Sequence, residues 1–258
     1  LGHVGCEQVR DLDDGVSVSA LGLDIKAHGN GAEHGGVHRT LNGLAIAVLI
    51  VGAAAFKPIK DWWDTRQFKD KDLAAIGAPA TTCQKITTKP AEGNQQHVPT
   101  GTPVDYQDAP PAFGKHWNEA GVAPAPISRK LYTSDRPPLE ALVHNLEHGY
   151  TILWYDDTVA GDSGAMDELK AIADKLSSTT NFRDKFIAAP WTSKDEGGKK
   201  FPSGQHVAFT HWSAGGAGST DPKNQVGVFQ YCSDVSGAAL KSFMLKYPYT
   251  DSPEPTAM

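Results

Sequence analysis

The chain has 258 residues, of which 40% are apolar and 21% charged, with a net charge of −6. This is the composition of an ordinary globular protein, long enough for one large domain or two small ones with their own core. The acidic balance, and the lack of interleaved basic and aromatic residues, exclude nucleic acid as a partner.

Residues 1–40 read as a flexible tail. The stretch "AHGNGAEHGGVH" sets His28, His34 and His38 among glycines, where nothing would hold three rings around a metal, so a mobile linker is expected. "LNGLAIAVLIVGAAAF", Leu41 to Phe56, then runs sixteen residues without a charge. A full membrane span takes about 20 apolar residues. Extension through Ile59 to Trp62 and Trp63, with Lys57 and Lys60 snorkelling, predicts a single transmembrane anchor over 41–63. A buried core helix is the alternative, disfavoured by the Gly-rich and charged flanks. Lys26 and Arg39 precede the run, whereas Lys57, Lys60, Arg66, Lys69 and Lys71 follow it, which by the positive-inside tendency would place the C-terminal side in the cytoplasm. A juxtamembrane linker, 64–85, leads to a globular domain over 86–258.

From Ile86 to Pro138 the chain carries nine prolines and few apolar runs, so it is expected to be an extended, looping segment laid over a core. "PLEALVHNLEHG" predicts a helix, with Pro138 in its first turn, Leu139, Leu142, Val143 and Leu146 at helical spacing, and Gly149 at its C-terminal end. "YTILWYD" predicts a buried strand, and "MDELKAIADKL" a helix capped by Asp162 or Ser163. "KFIAAPW" and "HVAFTHW" predict two further strands and "QVGVFQY" a short one. "GAALKSFMLKY" predicts an amphipathic helix with Leu240, Phe243, Met244 and Tyr247 on its apolar face. This order implies an α/β or α+β fold, a small sheet with helices packed on it and a long Pro-rich N-terminal loop segment. A thioredoxin-like half-fold is one topology that fits, without the redox Cys-x-x-Cys.

Cys6 precedes the expected anchor, and Cys83 and Cys232 follow it. In an oxidising compartment Cys83 and Cys232 could form a disulfide that clamps the start of the domain to its end; two unrelated buried thiols are the other reading. No Cys-x-x-Cys spacing exists, so a thiolate zinc site lacks ligands.

Six histidines follow the anchor: His97, His116, His144, His148, His206 and His211. On a helix, His144 and His148 stand one turn apart on one face, the spacing at which two imidazoles can share a metal, and also that of two histidines that merely pack. His144 to His148 further matches the H-x-x-E-H pattern of inverted zinc peptidases, with Glu147 as the base that activates water. Those enzymes need a longer helix, a larger domain and a later glutamate ligand, none of which the sequence announces. His206 and His211 are separated by an odd number, so in a strand they face opposite sides and are not joint ligands.

"HVPTGTPVDYQDAPPAFGKHW", followed by "LVHNLEHGYTILWYD", resembles a bacterial membrane-anchored family labelled domain of unknown function 3105. Its pattern is a histidine ahead of a tyrosine and a double proline, a Gly-x-His, and "VHNLEHG" leading into an apolar strand; here Phe113 stands where a small hydroxylated residue is expected before Gly114. The resemblance implies an extracytoplasmic domain, and together with the cysteines it outweighs the lysine count. The expected placement is therefore single-pass in the bacterial cell membrane, anchored through 41–63, with the C-terminal domain outside. The resemblance also implies that His97, His116, His144 and His148 occupy the family's histidine positions, a set able to close a four-ligand site for one copper or zinc ion, with copper(I) disfavoured for want of a thiolate or thioether. The alternative is that the histidines pair with Glu147, Asp105 or Asp108 and hold the loop by hydrogen bonds alone. Three functions follow from these readings: a metal-handling or accessory protein, a non-metal accessory or structural subunit of a larger membrane complex, and a metal-dependent hydrolase using Glu147.

Overall fold

The computed structural model describes residues 18–20, 23–25, 65–91 and 95–257. The chain divides into two compact units, 1–56 and 57–258. In the first, β1 (Val18–Ala20) and β2 (Leu23–Ile25) pair antiparallel, inside the segment read as a tail. The expected anchor over 41–63, Cys6, and His28, His34 and His38 all lie outside the described residues. Among those described, no helix is long and apolar enough to cross a membrane.

The second unit runs through β3 (Thr87–Pro90), β4 (His97–Val98), β5 (His116–Trp117), α1 (Leu139–Glu147), β6 (Thr151–Tyr155), α2 (Asp157–Gly161), α3 (Ser163–Lys175), β7 (Phe186–Pro190), β8 (Val207–Ser213), β9 (Val226–Cys232) and α4 (Gly237–Lys246). Five of these strands form one sheet in the order β3-β9-β8-β6-β7, with β6 and β7 parallel and every other neighbouring pair antiparallel. It is a mixed α/β architecture, as the pattern of elements implies.

Period-two alternation explains why the strands read as unbroken apolar runs. Along β6, Leu153 and Tyr155 enter a core with Leu169, Ile172, Leu240 and Phe243 of α3 and α4. Ile152 and Trp154 point the other way, into a second core with Leu142, Val143 and Leu146 of α1. Both faces of the sheet at β6 are therefore covered, unlike those at the exposed edge strand β3. Asp162, not Ser163, caps α3, its carboxylate accepting from the amides of Gly164 and Ala165.

Three features differ from the sequence reading. The strand expected over "QVGVFQY" is shifted by one residue to Val226–Cys232, where it lies between β8 and β3 and is paired on both sides. The helical turn α2 was not foreseen; Asp156 caps it through the amides of Thr158 and Val159. The Pro-rich segment is extended, but it also contributes an edge strand, β3, and the two-residue parallel pair β4–β5. Its single proline in β3, Pro90, sits at the strand's end, where a missing donor costs least.

Specific polar anchors hold this segment on α1's side of the sheet. The Trp117 indole donates to the carbonyl of Thr102 at 2.7 Å, and the Tyr106 hydroxyl to that of Lys115 at 2.6 Å. The amide of Val104 donates to Glu140 of α1 at 3.0 Å. Phe113 lies against Gly227 of β9, where a Cβ would stand 2.2 Å from the ring, so the glycine makes room for it. On the sheet's far side a disulfide joins Cys83 to Cys232, linking residues 149 apart.

Candidate metal centre

The motif His144-Asn145-Leu146-Glu147-His148 spans the last turn of α1, and each side chain has a separate destination. At about 100° per residue, His144, Glu147 and His148 share one face, Leu146 turns to the core and Asn145 points sideways. Asn145 is fully buried and grips the loop: its Oδ1 accepts from the amide of Ala125 at 2.9 Å and its Nδ2 donates to the carbonyl of the same residue at 2.8 Å. Gly149 has φ +89°, and a Cβ there would lie 2.4 Å from the carbonyl oxygen of Tyr249. The residue is thus excluded from any other identity twice, by conformation and by contact.

Pairing of β4 with β5 sets His97 beside His116, and the loop carries both onto the polar face of α1. Ring centroids are 4.9 Å apart for His97 and His116, 5.0 Å for His116 and His144, and 4.4 Å for His144 and His148. Donor atoms of His97, His116, His144 and Glu147 all lie within 4.8 Å of one another, and these groups could hold a metal ion. Tetrahedral ligands on bonds of about 2.0–2.1 Å sit roughly 3.3 Å apart, so a small contraction would close the set. His148 is adjacent, its Nε2 2.9 Å from that of His144 and 3.5 Å from Glu254 Oε2.

Hydrogen accounting gives the cluster its character. A carbonyl only accepts, so the Nδ1 of His116, 2.8 Å from the Gly114 oxygen, carries a proton, as does the Nδ1 of His144, 2.6 Å from that of Trp117. In the neutral tautomers both Nε2 atoms are then bare lone pairs. That of His116 faces Glu147 Oε2 at 2.9 Å, so a second proton or a cation must lie between two acceptors. Ligating histidines are oriented in this way, the remote N–H held by a backbone carbonyl. His97 differs: with the Asn118 amide donating to its Nδ1 at 3.3 Å, the proton sits on Nε2, 3.6 Å from Glu147 Oε2. Rotating that amide by half a turn frees the His97 Nε2 as a ligand.

Glu147 is 1% exposed. Burial alone would raise its carboxyl, but the hydrogen bond and charge of His116, with help from Gln95, outweigh it and hold the group at about 2. Burial, and secondarily the neighbouring His116, push His144 down to about 4. Burial and the adjacent His144 do the same for His148. Two neutral imidazoles thus stand beside an ionised carboxylate, the protonation states that metal binding requires.

Among the four histidines and Glu147, then, the structure gathers His97, His116, His144 and Glu147 most tightly, with His148 at the edge. Asp105 and Asp108, considered as partners for the histidines, are elsewhere: Asp105 approaches Lys199 and Asp108 pairs with Lys89. His206 pairs with Asp156 at 2.9 Å, and His211 lies buried between the carbonyls of Tyr150 and Asp251. Sequence reasoning missed Gln95, which donates to Glu147 Oε1 at 3.2 Å, and Glu254, brought to His148 by the C-terminal segment. Asn145 carries no sequence signal for its role, which only its two bonds to Ala125 reveal; a buried amide inside a helix must find partners.

No curated protein and no solved structure matches the chain. Residues 97–258, from the first histidine of the cluster onward, match the family described as "Protein of unknown function (DUF3105)", and the chain belongs to that family.

Proposed function

We propose that this domain binds a transition-metal ion, copper(II) or zinc, through His97, His116, His144 and Glu147, with His148 beside them, and that it handles metal outside the cytoplasm. The observation that carries this reading is the convergence of two carbonyl-oriented imidazoles on a buried carboxylate, with the His116 Nε2 and Glu147 Oε2 at 2.9 Å. Imidazole with one carboxylate suits zinc and copper(II), and the absence of sulfur from the set argues against copper(I). A disulfide between Cys83 and Cys232 supports an oxidising compartment, consistent with anchoring of a bacterial protein through 41–63 and an outward-facing domain. The parallel β6–β7 pair bridged by helices, followed by the β8–β9 hairpin and α4, is compatible with a thioredoxin-like half-fold, but no Cys-x-x-Cys accompanies it.

The hydrolase reading is weaker. Glu147 is held at about 2, far below the range of a general base that works near neutral pH. Two clefts, of about 390 and 320 Å³, are lined by none of these four histidines. A metal-free accessory role within a larger membrane complex makes the opposite prediction for metal content. Elemental analysis of the purified chain decides between them: copper or zinc is expected in the parent and its loss in His116→Ala/His144→Ala. A folded parent that takes up neither ion after loading would leave the cluster as a hydrogen-bonded clasp for the loop.

A further inference from the structure

The cluster does not end at the first set of ligands. Glu147, His148 and Glu254 form a second group whose donor atoms lie within 4.8 Å of one another, and Glu147 belongs to both groups. We propose that this second group is a cation position in its own right, so that the centre takes two divalent transition-metal ions joined through the Glu147 carboxylate. The proposal rests on the reading of the first set as a metal site and extends it from one ion to two.

The state of His148 is the independent observation. The residue is 5% exposed, yet Nδ1 has no hydrogen-bond partner. Its Nε2 faces the Nε2 of His144 and the carboxylate of Glu254. The His144 atom is a lone pair, because that ring's proton is on Nδ1, which donates to the Trp117 carbonyl. A proton on His148 Nε2 leaves a bare buried acceptor at Nδ1. A proton on Nδ1 leaves a buried donor unpaired and three acceptors facing one another. With the proton on Nδ1, a cation at Nε2 removes the convergence of acceptors there, while Nδ1 itself stays without a partner. Glu147 belongs to both groups: Oε2 is turned to His116 and His97, while Oε1 accepts from the neutral amide of Gln95, which an ion can displace. Ions joined through one carboxylate lie about 3.5–4 Å apart, a spacing found in two-metal centres.

The backbone at Glu254 is held in place, and its side chain is about half exposed. Its amide donates to the carbonyl of Glu147 at 3.0 Å. Just beyond it, the buried ammonium of Lys185 donates to the carbonyls of Pro255 and Ala257, and also to that of His148. Just before it, the Asp251 carboxylate accepts from the Ser213 hydroxyl and the amides of Ala214 and Gly216. A segment pinned on both sides presents one carboxylate to the one histidine that the first set leaves out.

The test is zinc content after dialysis of the full chain against zinc, in the parent and in Glu254→Gln, with near-ultraviolet circular dichroism to verify the fold. The parent should hold one equivalent more than Glu254→Gln, and the difference cancels zinc bound elsewhere, as at His28, His34 and His38. Copper(II)-loaded parent should show magnetic coupling between its ions that Glu254→Gln lacks. Equal zinc content in the two proteins would overturn the second position and leave the first intact. Zinc absent from the cluster altogether, so that the parent matches His116→Ala/His144→Ala/Glu254→Gln, would overturn both.

Discussion

Acidification should destabilise the metal-free domain well above the range in which ordinary carboxylates titrate. His144 and His148 are 3% and 5% exposed, and burial depresses both to about 4 from an ordinary 6.5. A histidine depressed in the folded state binds protons more tightly when unfolded, so its contribution is complete above 6.5 and is lost as pH falls towards 4. At about pH 5 each ring forfeits about 2 kcal/mol relative to neutral pH. The two Nε2 atoms are 2.9 Å apart and titrate as a coupled pair, so their joint loss is about 2–4 kcal/mol. Glu147 acts lower on the scale: held at about 2 against 4.5, it contributes above 4.5 and loses that contribution only as pH falls through 2. Urea unfolding of chelator-treated protein, followed by tryptophan fluorescence at about pH 7.5, 6 and 5, measures the sum. With a slope of about 2 kcal/mol per molar urea, the midpoint should fall by about 1–2 M from the first pH to the last. A midpoint that moves by less than about 0.3 M would refute the assignment of His144 and His148 as buried neutral imidazoles.

Other perturbations probe the supports. Asn145→Ala removes both bonds to Ala125 and leaves a buried amide and carbonyl unpaired, so a loss of about 2–5 kcal/mol is expected in chemical denaturation, with weaker metal binding because the loop carrying His116 is released. Gly149→Ala combines a left-handed backbone with a Cβ 2.4 Å from a carbonyl oxygen, and should lower the melting temperature and loosen the C-terminal segment, read as faster hydrogen exchange over 249–257. Reduction of the Cys83–Cys232 disulfide opens a loop of 149 residues and should cost up to about 5 kcal/mol by chain entropy, measured as a shift in urea midpoint with added reductant.

Local pattern was enough to announce most elements of the domain. Helical spacing gave α1, α3 and α4, and β-branched and apolar runs gave β6, β7 and β8, because these signals come from the chain's own periodicity. The strand β9 was legible too, to within one residue, and its two sheet neighbours set its bounds at Val226–Cys232. The pair His144 and His148 was legible as one helical face for the same reason. Nothing local could show that the Pro-rich loop returns His97 and His116 to that face, or that Asn145 is the residue that ties it there. Family resemblance suggested the first; the second is decided only by the loop's path.

The sequence by itself determined the class of fold, the periodicity of its helices and strands and the supply of imidazoles. Tertiary structure alone decided which donor atoms converge. Glu147 became a member of the group because helix rotation turns it to His116, and Glu254 because the C-terminal segment is pinned back across α1 by Lys185 and Asp251. Side chains distant along the chain meet only where packing brings the backbone round, and whether a buried imidazole presents a proton or a lone pair depends on the carbonyl that the fold places behind it.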